Sequence, residues 1–244
     1  MMAEDALKFP FRGDRTADTF AVGGVLGIAT LLLLRVAASL YPTWPTLVAA
    51  ALAAVPATAL FGYLLRVGDA TVRGDESVPE FGSPGDLFRS GLRAWAVAAV
   101  YLGLPLLILL VTVQGVLGSG IGPDAGTGQR TALLVGSTMT LFLALAVAYV
   151  FPAALLNVAR GGSPVASLDP RRVKPLLSSG AYFAAWMAAF VAGVLGWGLT
   201  LSALRSHSLG GVIAVFAAFY FHLVAARYVG LAYARAVGRD GGPL

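Results

Sequence analysis

Six stretches of the chain are apolar with few polar interruptions: 19–40, 46–65, 94–117, 131–158, 181–204 and 209–230. A hydrocarbon core about 30 Å thick requires about 20 apolar residues in helical form, and each stretch is long enough. The only other spanning structure is a closed barrel, whose strands alternate apolar and polar positions over segments of about ten residues. Runs such as LLVGSTMTLFLALAVAYVF do not alternate. The pattern therefore predicts an all-α polytopic membrane protein: six transmembrane helices in three hairpins, forming one domain over residues 1–244. It leaves a polar N-terminal segment (1–18), two longer polar loops (66–93 and 159–180) and a tail (231–244).

The first apolar stretch is too long for a signal-peptide core of 7–15 residues. Acids also precede it, at Glu4, Asp5, Asp14 and Asp18, where a signal sequence would be net positive. It is read as an uncleaved first helix. Fourteen of the 17 Lys and Arg residues then fall on one side: Lys8, Arg12, Arg15, Arg66, Arg73, Arg89, Arg93, Arg160, Arg171, Arg172, Lys174, Arg227, Arg235 and Arg239. Arg35, Arg130 and Arg205 remain on the other. Positive charge in short loops marks the cytoplasmic face, so a multi-pass protein of the cell membrane with both termini in the cytoplasm is expected. The opposite loops are short, and Tyr41 and Trp44 lie at the level of an aromatic belt.

Both long loops lead into helix starts. Ser83-Pro84-Gly85-Asp86 carries an N-cap serine, a proline at the first helical position and an acid three residues after the cap. Beyond it, Leu87, Phe88, Gly91, Leu92 and Trp95 share one helical face, which predicts an interfacial amphipathic helix before the third span. Asp169-Pro170 followed by Val173, Leu176, Leu177 and Gly180 repeats the device before the fifth. Leu87–Gly91 also aligns with Leu176–Gly180 at an offset of 89 residues, each running on to a tryptophan, Trp95 or Trp186. Pro56 and Pro152 occupy matching places in the helices feeding the two loops. With the weaker likeness of 8–18 around Pro10 and Phe11, this suggests an internal repeat of three hairpins in one orientation.

The residues Gly62, Tyr63 and Arg66, then Val78-Pro79-Glu80-Phe81, Asp86-Leu87-Phe88 and Gly91-Leu92, leading to Tyr101 and Pro105, resemble an archaeal membrane family. That family, known from haloarchaea among others, is catalogued as domain of unknown function 4013. The resemblance extends over most of the chain and is most specific around 79–92. It implies a topology and an archaeal lineage, and no catalytic residue.

Composition narrows the chemistry. Residues of the DEKR class make up 12% of the chain, half the roughly 25% of soluble domains, and mean hydropathy is +0.80. The absence of cysteine removes disulfides, thiolate nucleophiles, iron–sulfur clusters and cysteine-based zinc sites. The net charge of +5 is dispersed over loops, unlike the clustered basic face of a nucleic-acid binder. Gly118-x-Gly120-x-Gly122 follows no strand and is no dinucleotide fingerprint. Metalloprotease, nucleophile-elbow and P-loop motifs do not occur. The acids Asp69, Asp75, Glu76, Glu80 and Asp86 lack histidine partners and ligand spacing; they are expected to pair with Arg66, Arg73 and Arg89. No catalytic residue, metal or cofactor is assigned.

Three groups of candidate residues remain. Phe81, Asp86, Phe88 and Trp95 form a partner-docking or interface group. Arg171, Arg172 and Lys174 would meet anionic lipid head groups, each worth about 1 kcal/mol near the surface. Gln114, Asn157 and His222 are polar groups in or near spans, and interhelical hydrogen bonding is preferred over proton relay or ligand contact for each. Pro56, Pro105 and Pro152 interrupt the helical ladder within spans. Gly23-x-x-x-Gly27 is a close-packing motif that would serve dimerisation or packing within one chain. The first-ranked function is a non-enzymatic accessory, scaffold or envelope-organising component. A small-solute or ion permease is the alternative, and an intramembrane lipid-modifying enzyme ranks last because His222 alone lies at membrane depth.

Overall fold

The computed structural model describes residues 2–118, 126–160, 174, 177–206 and 208–238. The helices are α1 (Met2–Lys8), α2 (Thr16–Leu40), α3 (Pro45–Val72), α4 (Pro84–Gly118), α5 (Thr127–Ala159), α6 (Gly180–Arg205) and α7 (Leu209–Gly238), with a 3₁₀ turn at Phe9–Phe11 after α1. Five of these are long and apolar enough to cross a membrane, and α4 makes a sixth when its halves, Pro84–Gly103 and Pro105–Val111, are taken as one span bent by 46°. Pro105 lies at the bend and accounts for it: proline has no N–H, and its ring clashes with the carbonyl four residues earlier. The long helices are apolar on every side, as a helix between protein and lipid must be. Leucines and valines such as Val25, Leu47, Leu110 and Val111 point outward.

Several helices outrun the apolar stretches that predict them. α3 continues past Leu65 to Val72, α4 starts at Pro84, and α7 reaches Gly238. Charge ends a hydropathy window, but it does not end a helix, whose backbone hydrogen bonds are satisfied on either side of the boundary. The segment before the third span is accordingly the first turns of α4 and not a separate helix. Its cap forms as predicted: Asp86 N–H donates to Ser83 Oγ at 3.2 Å, and Ser83 Oγ–H donates to Asp86 Oδ2 at 2.7 Å. The predicted apolar face divides, because Leu87, Gly91, Ala94 and Val97 are buried while Phe88 and Trp95 are 42% and 45% exposed. Most of the matching segment before α6 lies outside the described residues.

α3 and α7 are the inner helices, α7 packing on α2, α3 and α6, and α3 on α2, α4 and α7. Glycines set how closely they approach. A Cβ on Gly62 would overlap the Leu87 carbonyl oxygen, and one on Gly91 would overlap that of Thr58, so α3 and α4 meet backbone to backbone. At the α3–α7 crossing, a Cβ on Gly230 would lie 2.6 Å from Gly68 O. The Gly23-x-x-x-Gly27 face of α2 is filled by Phe216, Phe219 and Val215 of α7; this motif packs within the chain. At the same end of the bundle as the α6–α7 turn, Arg35 donates from Nε to Leu204 O at 3.1 Å and from an Nη to Ala203 O at 2.5 Å and to Ser206 O. The guanidinium thereby supplies donors to the Leu204 and Ser206 carbonyls and shares that of Ala203 with the Ser206 N–H.

Candidate functional site

α5 and α6 do not approach closely. They are held apart at one end by aromatic side chains, and the cause lies in α5. Pro152 has no N–H to donate, so the carbonyl of Ala148 loses its helical partner. Trp186 Nε1 supplies a donor to that oxygen at 2.8 Å. Beside it Tyr182 donates to Tyr149 O at 2.9 Å, and Tyr149 donates to Leu177 O at 2.7 Å. The Tyr149 ring stands edge-on to Tyr182 and Trp186, with centroids 5.2 and 5.0 Å away. The α3–α4 pair has a related bond, Trp95 Nε1 to Thr58 Oγ1 at 3.1 Å, but Gly62 and Gly91 let those helices close. No such glycine contact joins α5 and α6 among the described residues.

The separation leaves a cleft of about 530 Å³, to which every helix from α3 to α7 contributes. Its walls are apolar, formed by Phe61, Leu65, Leu106, Phe151, Phe190 and Val194 among others, and include no charged residue. Four lining side chains carry a nitrogen or oxygen: Thr140, Trp186, Trp197 and His222. Thr140 Oγ–H donates to Gly136 O at 2.8 Å, and Trp186 is bonded to Ala148. His222 Nδ1 lies 2.6 Å from Ala218 O on its own helix and must donate to that acceptor. The ring rests on Gly196 and stands edge-on to Trp197, centroids 5.5 Å apart. Nε2 is then left with a lone pair and no hydrogen bond among the described residues. The expected interhelical hydrogen bond of His222 is thus not formed: the donor turns back along α7, and the contact with α6 is van der Waals.

A second polar site lies five residues further along α7. Arg227, 5% exposed, donates to Asp75 O at 2.6 Å, Thr71 Oγ1 at 3.3 Å and Asp5 Oδ2 at 3.4 Å, and its guanidinium stands 4.4 Å from the centre of the Phe9 ring. Its Nε has no hydrogen-bond partner among the described residues. Arg12 donates to Asp5 Oδ1 at 2.5 Å. Burial alone would raise the Asp5 carboxyl, but hydrogen bonding and charge from Arg12 and Arg227 outweigh it and hold the group below the ordinary carboxylate value. Arg227, read from the sequence as a topogenic charge, is a buried link binding the N-terminal segment to α3 and α7. The signal was an arginine inside an apolar helix with no acid nearby in sequence.

The other predicted residues separate. Phe81 stacks on Tyr63 (3.8 Å, 3° between planes), and Tyr63 donates to Pro79 O at 2.8 Å. Arg66 donates to Phe81 O at 2.7 Å. The 79–81 segment is thereby strapped onto α3, so Phe81 is engaged within the chain and Asp86 is a cap. Phe88 and Trp95 are the aromatic residues of the group that keep an outward face. Two of the acids, Asp69 and Asp75, pair with Arg73 as expected, whereas Glu80 pairs with Arg15 at 2.8 Å. No group of three ligating side chains occurs among the described residues. Asn157 Nδ2 is buried and makes no hydrogen bond among the described residues, so its expected interhelical bond is absent there. Lys174 is exposed; Arg171, Arg172 and the side chain of Gln114 lie outside the described residues.

Long apolar helices, glycine-mediated crossings and an apolar cleft between them define a multi-pass helical membrane protein in contact with the bilayer. The family described as protein of unknown function (DUF4013) matches residues 45–204, about two thirds of the chain, and the protein belongs to that family. No curated protein and no solved structure matches it. The matched span runs from the start of α3 to the end of α6 and contains the proline, the aromatic wedge and most of the cleft, whereas His222 and Arg227 lie beyond it.

Proposed function

We propose that this protein is a non-enzymatic membrane component that holds a slender apolar molecule, a lipid hydrocarbon chain, in the cleft between α4–α5 and α6–α7. The observation that carries the reading is the size and lining of the cleft. Its 530 Å³ falls within the roughly 300–1,000 Å³ of small-molecule sites. Walls without charge disfavour an ion, which would lose its hydration without replacement. The accessory role therefore shifts from docking at Phe81, Phe88 and Trp95 to accommodating lipid. The basic end of the bundle, with Lys8, Arg66, Arg73 and Lys174, is assigned to the cytoplasmic side on the distribution of positive charge.

The test uses Trp186 and Trp197 as reporters, after Trp44→Phe and Trp95→Phe, in nanodiscs doped with a chain-brominated hydrocarbon. Saturable quenching is expected, and Gly193→Leu, which projects into open space in the cleft, should abolish the saturable phase. Quenching that rises only in proportion to dose, equally in the variant, would overturn the proposal. Orientation is testable by a single cysteine at Ser77 or Ser39 in this cysteine-free chain. Labelling of Ser77→Cys by an impermeant maleimide from outside intact cells would reverse the assignment.

The Trp95–Thr58 and Trp186–Ala148 bonds, spanning 37 and 38 residues, support an internal repeat in which the second copy has opened to create the cleft.

A further inference from the structure

We infer that the cleft is selective for a long-chain alcohol, its hydroxyl donating to His222 Nε2; this rests on the proposed chain-binding role and adds the head group. The argument is one of hydrogen-bond accounting. His222 lines the cleft near the middle of α7. Its Nδ1 proton is committed to Ala218 O at 2.6 Å, which leaves Nε2 as an acceptor. It is the one lining side-chain acceptor that takes part in no hydrogen bond among the described residues. In so apolar a setting an unmet acceptor costs free energy that a matching donor recovers.

The ring is also held in place. Trp197 stands edge-on to it, 84° between planes, and Gly196 admits it because a Cβ there would lie 2.8 Å from Cε1 and 2.9 Å from Nδ1. A fixed acceptor at the wall of an otherwise apolar slot fits a molecule with a hydrocarbon body and one O–H. An alkane or ether offers no proton. A carboxylic acid ionised at neutral pH has lost its proton and would bring an unpaired charge into walls without a cation. An alcohol, straight or isoprenoid, meets both conditions.

The experiment compares 16-bromohexadecan-1-ol with its methyl ether in the same quenching assay, on the full chain in nanodiscs at pH 7. The alcohol is expected to bind about fivefold more tightly, the value of one net hydrogen bond. His222→Phe should bring alcohol and ether to equal affinity while both still saturate. Gly196→Ala, which keeps the histidine and displaces its ring, should reduce the preference in the same direction if His222→Phe does not fold. Equal saturable binding of alcohol and ether to the unaltered protein would overturn the head-group assignment and leave the chain-binding reading standing. A preference that survives both substitutions, or a 16-carbon carboxylic acid outcompeting the alcohol at pH 7, would also overturn it. Absence of saturable binding by either compound would refute the chain-binding reading, and the assignment with it.

Discussion

Trp186→Phe keeps an aromatic ring against Tyr149 and Phe190 but deletes the indole N–H that reaches Ala148 O at 2.8 Å. The helical donor to that carbonyl is missing because the residue four positions on is Pro152. A buried carbonyl left unmet costs about 1–3 kcal/mol, while interhelical hydrogen bonds in membrane proteins average about 0.6 and reach about 1.7 kcal/mol. The two ranges overlap at about 1–1.5 kcal/mol, roughly a tenfold change in the unfolding equilibrium. In a Pro152→Ala background the new N–H can bond the carbonyl directly, so the same Trp186→Phe change should cost about 1 kcal/mol less. The assay is equilibrium unfolding in mixed micelles across the four-member cycle, which cancels the loss of ring volume common to both backgrounds. An equal cost of Trp186→Phe with and without Pro152 would refute the idea that the indole replaces the proline's absent donor.

Other consequences follow from the same geometry. Gly91→Ala should destabilise by about 2–3 kcal/mol, by overpacking α4 on α3 and weakening the Trp95–Thr58 bond. Gly103→Ala, in open space on the same helix, should be neutral or stabilising by up to about 1 kcal/mol; thermal unfolding of the two variants in detergent decides. Arg227→Met removes the guanidinium from its buried partners. Because Asp5 keeps Arg12, the loss should fall below the roughly 3–5 kcal/mol of a broken buried pair, at about 2–3 kcal/mol, and appear as faster proteolysis of the N-terminal segment. The Asp5 carboxyl sits below its ordinary value in the folded state, so its stabilisation is complete above the unfolded value. It fades as pH falls through the lower folded value. Asp5→Asn should flatten that acid-side loss in a pH series of unfolding midpoints, and an unchanged acid limb would argue against the Asp5 linkage.

The apolar stretches and the cap at Ser83–Asp86 were legible in sequence because both depend on local physics: the length of the hydrocarbon barrier, and a hydrogen bond made within one helical turn. Gly23-x-x-x-Gly27 was legible as a close-packing face, though not which helix would fill it. The fate of Phe81, Asn157 and His222 was not legible, since each depends on what another helix brings to the same place. Phe81 reads as a docking aromatic until Tyr63 is found stacked beneath it, and Arg227 reads as a topogenic charge until Asp5, 222 residues away, reaches it. The cleft is the plainest case. Pro152 and Trp186 are visible in the chain, but only their meeting at the Ala148 carbonyl holds α5 from α6. By itself the sequence determined which segments must be helices in lipid, because no other backbone hydrogen bonding survives there. The tertiary structure decided which helices close on glycine and which stand apart on aromatic rings, because side-chain volume at a crossing is a property of two helices and not of one.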